Sequence, residues 1–139
     1  MIENPIIARP RVGDTEKMTI NLGVVDLGQI DLLVQEGFYS NRTDLIRTGI
    51  RNQLALHSDA LKQTLARRAL VLGLQHYSRS DLESAAASGQ MLHVQVVGLA
   101  RIADDVDPEL ARATIASVSV LGAFQASAAV KRVLADRIV

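Results

Sequence analysis

Lys17-Met18-Thr19-Ile20-Asn21-Leu22 alternates polar and apolar side chains without a break. A period of two puts one face inside and one outside, so the stretch predicts a half-buried strand. It is short, and no partner strand follows it directly. Leu27, Ile30, Leu33 and Val34 then recur at helical spacing, and Gly37 sits where a helix C-terminus favours glycine. Ser40 or Asn41 offers a cap for a second helix, with Thr43 and Asp44 in its first turn. Leu45, Ile46, Ile50 and Leu54 give that helix its apolar stripe. The unit therefore reads as one strand, one helix, a glycine turn and one helix. A lone strand has nowhere within this unit to place its backbone hydrogen bonds, and burying them unpaired is costly. An identical strand from a second chain is the economical partner.

A chain of 139 residues suffices for one domain or two small ones, and 48% hydrophobic content allows a buried core. The only aromatics are Phe38, Tyr39, Tyr77 and Phe124, so that core must be aliphatic. The absence of cysteine excludes disulfides, thiolate metal sites and thiol nucleophiles. No apolar run reaches the roughly 20 residues of a membrane span, and the N-terminus lacks a signal-peptide pattern; a cytoplasmic protein without membrane contact is expected. Fifteen basic and fifteen acidic residues cancel, so no global positive field draws in a polyanion. Affinity for DNA would have to come from a local patch among Arg9, Arg11, Lys17, Arg42, Arg47 and Arg51, with Asp26, Asp31, Glu36 and Asp44 interleaved.

The strand, the first helix and Glu36-Gly37-Phe38-Tyr39-Ser40-Asn41-Arg42-Thr43-Asp44-Leu45-Ile46-Arg47 together resemble the ribbon-helix-helix family, the Arc/MetJ/CopG class of DNA-binding proteins. The resemblance covers about residues 15–57. It implies that two chains pair their strands into an antiparallel ribbon that enters the major groove. Lys17, Thr19 and Asn21 would then meet base edges. Lysine can donate to guanine, asparagine can pair with adenine in both directions, and threonine offers a hydroxyl and a methyl. Met18, Ile20 and Leu22 would pack inward. The resemblance also implies phosphate contacts at the start of the second helix, from Ser40, Asn41 and Arg42. Arg9, Arg11 and Arg47 are further candidates. Gly23 departs from the family pattern after the strand, and Gly28 weakens the first helix.

The remainder reads as a small α+β segment of roughly three strands and two or three short helices. Ser58 or Asp59 can cap a helix through Leu61 and Leu65, and Ala69 to Leu74 is an apolar run whose period does not separate strand from helix. Ser80-Asp81-Leu82-Glu83 has capping-box spacing, ahead of alanines and Gly89. Leu92, Val94, Val96 and Val97 read as a strand, and Asp107-Pro108-Glu109 as a helix start. Thr114 to Gly122 is β-branched and partly alternating, and Ser127 to Ile138 reads as an amphipathic helix with Val130, Val133 and Leu134 inward. Asp104, Asp105 and Asp107 read as an exposed loop. His57, His76 and His93 lie too far apart in sequence for a close ligand set, so no metal and no cofactor is expected.

The expected architecture is thus an α+β protein: an arm over residues 1–15, a ribbon-helix-helix domain over 16–57, and an α+β oligomerisation or effector/partner domain over 58–139. The expected function is sequence-specific binding of double-stranded DNA by a homodimer, as a transcriptional regulator and by default a repressor. The C-terminal segment would join dimers into tetramers or larger assemblies. An antitoxin that regulates its own promoter, or a dimeric scaffold that binds no DNA, are the alternatives. No catalytic constellation is present, so an enzyme is not expected.

Overall fold

A computed structural model describes residues 14–139. Arg9, Arg11 and most of the expected arm lie outside the described residues. The elements run α1 (Val24–Gln35), α2 (Arg42–Leu56), α3 (Ser58–Arg67), β1 (Val71–Tyr77), α4 (Arg79–Ala87), β2 (Leu92–Ile102), α5 (Pro108–Thr114), β3 (Ile115–Gln125) and α6 (Ala128–Val133), followed by a 3₁₀ turn at Ala135–Arg137. Helix and strand are mixed, as an α+β reading requires. Two compact units emerge: Lys17–Thr64, and Leu65–Val139 together with residues 14–16. The boundary falls inside α3.

In the unit built on Lys17–Thr64, α1 turns into α2 through Gly37, whose φ of +84° suits only glycine without strain. Neither α1 nor α2 buries a single side chain. Residues 17–22 carry no regular secondary structure. The alternation predicts a strand there, and the described chain forms no ladder at these residues.

The second unit is a βαβαβ array. Its three strands lie in the order β1-β2-β3, and both neighbouring pairs are parallel. Parallel neighbours need a crossover, supplied by α4 between β1 and β2 and by α5 between β2 and β3. Val94, Val96, Ala100 and Ile102 of β2 and Val118 of β3 form one buried cluster with Leu82 of α4, Ala111 of α5, and Val130 and Leu134 at α6. Helices α4, α5 and α6 therefore share one face of the sheet.

The opposite face has a different character. The register aligns Leu72 with Val97 and Leu121, and Leu74 with Leu99 and Ala123. None of α4–α6 covers these rows, and Leu72, Leu74 and Leu121 remain about half exposed. Between the two rows Gly73, Gly98 and Gly122 stand in register across all three strands.

Local chemistry fixes the ends of the helices. The capping box of α4 is built on Ser78, not Ser80: the Ser78 hydroxyl accepts from the Asp81 amide, and the Asp81 carboxylate accepts from the Ser78 amide. Both serines stand three residues before an acid, and β1 ending at Tyr77 decides between them. Pro108 opens α5, and Ser127 caps α6. The closing helix is shorter than its periodicity suggests, because Leu134 passes the chain into the 3₁₀ turn. Val130 and Leu134 are fully buried, as expected, and Val133 is half-buried.

Candidate nucleic-acid interface

Residues 17–22 expose both of their faces. Lys17, Thr19 and Asn21 are exposed, and so are the alternating apolar residues Met18, Ile20 and Leu22. Met18 keeps 76% of its surface in solvent. Burying side chains of this size is worth about 1.5–3 kcal/mol each, so leaving three of them wet favours association. The neighbouring helices repeat the pattern. Val24, Val25, Leu32 and Leu33 of α1 and Ile50, Leu54 and Leu56 of α2 are all exposed. Neither helix buries a residue of its apolar stripe.

The start of α2 is built by Asn41. Its backbone is extended, with φ of −165° and ψ of 177°, and its side-chain oxygen accepts from the Asp44 amide at 2.8 Å. The Asp44 carboxylate in turn accepts from the Ser40 amide at 3.0 Å. Of the two candidate caps, Asn41 is therefore the one used. The Ser40 amide, a candidate phosphate donor, is already occupied by Asp44.

Arg42 is occupied as well. Its Nε and Nη2 donate to both carboxylate oxygens of Asp31 in α1, at 2.7 and 2.8 Å. The hydrogen bond to Arg42 holds the Asp31 carboxyl below the usual carboxylate value, and the same bond holds the Arg42 guanidinium above its ordinary value. This fork-to-fork pair staples α1 to α2. Sequence reasoning could not find it, because the two residues are eleven apart and lie on opposite sides of the Gly37 turn. Arg47 lies exposed on α2.

Lys17, Thr19 and Asn21 thus share one accessible six-residue stretch, while Ser40, Asn41 and Arg42 gather at one helix start. The second group carries two built-in acids, Asp31 and Asp44, that a phosphate would have to displace or accommodate.

Elsewhere the candidate ligands are dispersed. His93 Nδ1 lies 2.8 Å from the Ser117 hydroxyl across β2 and β3. Asp107 takes a bond from Arg79, whose guanidinium also reaches the Asp105 carbonyl. Among the described residues no three His, Asp or Glu side chains converge on a metal-sized site. No helix among them is long and apolar enough to cross a membrane.

A family model described as the ribbon-helix-helix transcriptional regulator family matches residues 13–131. The match runs past the helical unit and through all three strands of the array. No curated protein matches the chain. No solved structure matches it either.

Proposed function

The chain belongs to the ribbon-helix-helix transcriptional regulator family, and we propose on that basis that it binds double-stranded DNA as a homodimer and represses transcription from the sites it reads. Two copies pair residues 17–22 as an antiparallel ribbon. Lys17, Thr19 and Asn21 then face base edges in the major groove, and Met18, Ile20 and Leu22 turn inward onto α1 and α2 of both chains. One observation carries this reading: an alternating segment with its apolar face in solvent precedes two helices that bury nothing. A second copy satisfies both at once.

Ser40, Asn41 and Arg42 act as phosphate donors that set the register of the ribbon on the duplex. Arg47, Arg9 and Arg11 add positive charge. The Ser40 amide must exchange Asp44, and Arg42 must exchange Asp31, for a phosphate, so both contributions belong to the bound state.

The Leu65–Val139 unit joins dimers into tetramers or larger assemblies. Its support is the apolar sheet face formed by Leu72, Leu74 and Leu121, because parallel sheets are ordinarily covered on both faces. Linked dimers would occupy adjacent half-sites with raised effective concentration. The fully buried core of this unit argues against the antitoxin alternative, whose toxin-binding tail would be disordered until bound.

Titration against a randomised duplex library at several salt concentrations tests the reading. The wild type should enrich a repeated or palindromic site and weaken as salt rises. Thr19→Ala/Asn21→Ala should lose the selectivity and keep the dimer. A wild type that enriches nothing at low salt would make the ribbon a dimerisation device and the protein a scaffold.

A further inference from the structure

We propose, on the assembly reading of the Leu65–Val139 unit, that its arrays join edge to edge and head to tail. Residues 120–125 of β3 in one copy pair in parallel with β1 of a second copy. Among the described residues no strand pairs with the outer edge of β1.

The glycine row gives the contact its direction. A Cβ on Gly122 would strike the carbonyl oxygen of Gly98, and a Cβ on Gly98 would strike that of Gly73. Each of these glycines makes room for the carbonyl of the strand before it. Gly73 has the same positive φ, yet nothing lies within 4 Å of the position its Cβ would take. The same conformation therefore leaves space on the outer edge of β1 for one more carbonyl. The free side of β3 offers it. The Gly73 and Gly98 oxygens each point at the following strand, so the Gly122 oxygen points out of the far edge of the sheet. The Val118 carbonyl already accepts from the Val139 amide on that side, at 2.8 Å.

The lengths match as well. Val71 opens β1 opposite Val96, and Val96 stands opposite Val120. Ile138 and Val139 cover the outer edge of β3 at Val118. A β1 laid on β3 in the existing register begins at Val120, just past that cover, and sets Gly73 against Gly122. It also sets Leu72 against Leu121 and Leu74 against Ala123. Leu72, Leu74 and Leu121 are about half exposed, whereas Leu99 in the same rows of the central strand keeps only 7% of its surface in solvent. A further strand gives the edge residues the cover that the central strand already has. Exposed edges are commonly blocked by charged residues or proline, and neither Val71–Tyr77 nor residues 120–125 contain Lys, Arg, Asp, Glu or Pro. Because the two edges differ, the contact is heterologous, and the assembly grows with concentration unless it closes into a ring.

Cysteine crosslinking on the full chain tests the pairing, since the chain has no cysteine of its own. Leu72→Cys and Leu121→Cys are oxidised singly, as a mixture, and combined in one chain. Within one copy the two positions lie two strands apart, about 10 Å, too far for a disulfide; across the proposed pair they lie about 5 Å apart. The mixture should yield a linked pair, the double variant a ladder of larger species, and each single variant little. Equal crosslinking in a single variant would mean symmetric pairing and overturn the proposal. So would the absence of a linked pair in the mixture. Gly73→Ala places a Cβ in the space for the incoming carbonyl, so species larger than the dimer should fall at least about tenfold in sedimentation velocity, with a thermal melt confirming the fold. Unchanged assembly in folded Gly73→Ala would overturn the edge pairing. If Leu74→Glu/Leu121→Glu still removed the larger species, association through the sheet face would stand without it. A wild type that never exceeds the dimer would sink both.

Discussion

Gly73, Gly98 and Gly122 have φ values of +125°, +138° and +118°, a region that side chains strongly avoid. At Gly98 a Cβ would lie 2.2 Å from the Gly73 carbonyl oxygen, and at Gly122 it would lie 2.1 Å from that of Gly98. At Gly73, on the edge strand, it would meet nothing within 4 Å. Gly98→Ala and Gly122→Ala therefore add a backbone collision to backbone strain and should each cost about 3 kcal/mol or more in urea unfolding. Gly73→Ala carries the strain alone, about 1–3 kcal/mol, and should be the mildest of the three. Arg42 offers a second test at this scale. Asp31→Asn weakens the hold on its guanidinium and removes a negative charge, so DNA affinity should rise severalfold with a steeper salt dependence. A drop in melting temperature with unchanged DNA affinity would instead mean that Arg42 only staples α1 to α2.

The helix starts are where single side chains control whole elements. Asn41→Ala removes the bond to the Asp44 amide and should cost about 1 kcal/mol of stability. It should also loosen the proposed phosphate site, so the DNA titration should report it too. At the head of α4, hydrogen bonds from the Ser78 amide and hydroxyl hold the Asp81 carboxyl below the ordinary carboxylate value. Arg42 does the same for Asp31, and Arg112 for Asp136. A folded-state pKa below the unfolded one means that the unfolded chain binds more protons. The stabilisation is therefore complete above the ordinary carboxylate value and is lost as pH falls below it, through the lower folded values. All three groups are solvent-exposed, so the loss should be gradual. A urea midpoint that is flat above the carboxylate range and declines below it is the expected result; a midpoint rising with acidification would contradict it.

For the whole molecule, both units leave apolar surface uncovered, at Met18, Ile20 and Leu22 in one and at Leu72, Leu74 and Leu121 in the other. Two separate self-associations are expected, and they should be separable. Ile20→Asp should abolish the dimer. Leu74→Glu/Leu121→Glu should leave the dimer and remove any larger species. Sedimentation velocity distinguishes these outcomes, and a double variant that still forms tetramers would free the sheet face from the assembly role.

The helical unit was legible in the amino-acid sequence, because local signals decide it. Gly37 sits at a helix C-terminus, Ser40 or Asn41 offers a cap, and apolar residues recur at helical spacing from Leu27 to Leu54. The alternation at residues 17–22 was legible too, as the expectation of a strand, while the proposed ribbon needs a partner chain to form. The array was less legible, although a signal was present. Leu72-Gly73-Leu74, Val97-Gly98-Leu99 and Leu121-Gly122-Ala123 repeat one pattern at nearly equal intervals, as successive βα turns of a repeating array would. The folded chain was needed to establish that the strands are parallel, that Asn41 caps α2, that Ser78 rather than Ser80 caps α4, and that Arg42 and Arg101 bond to Asp31 and Asp14. The physical reason is range: periodicity and capping act within a few residues, whereas register and ion pairs between distant residues exist only once the chain has closed on itself.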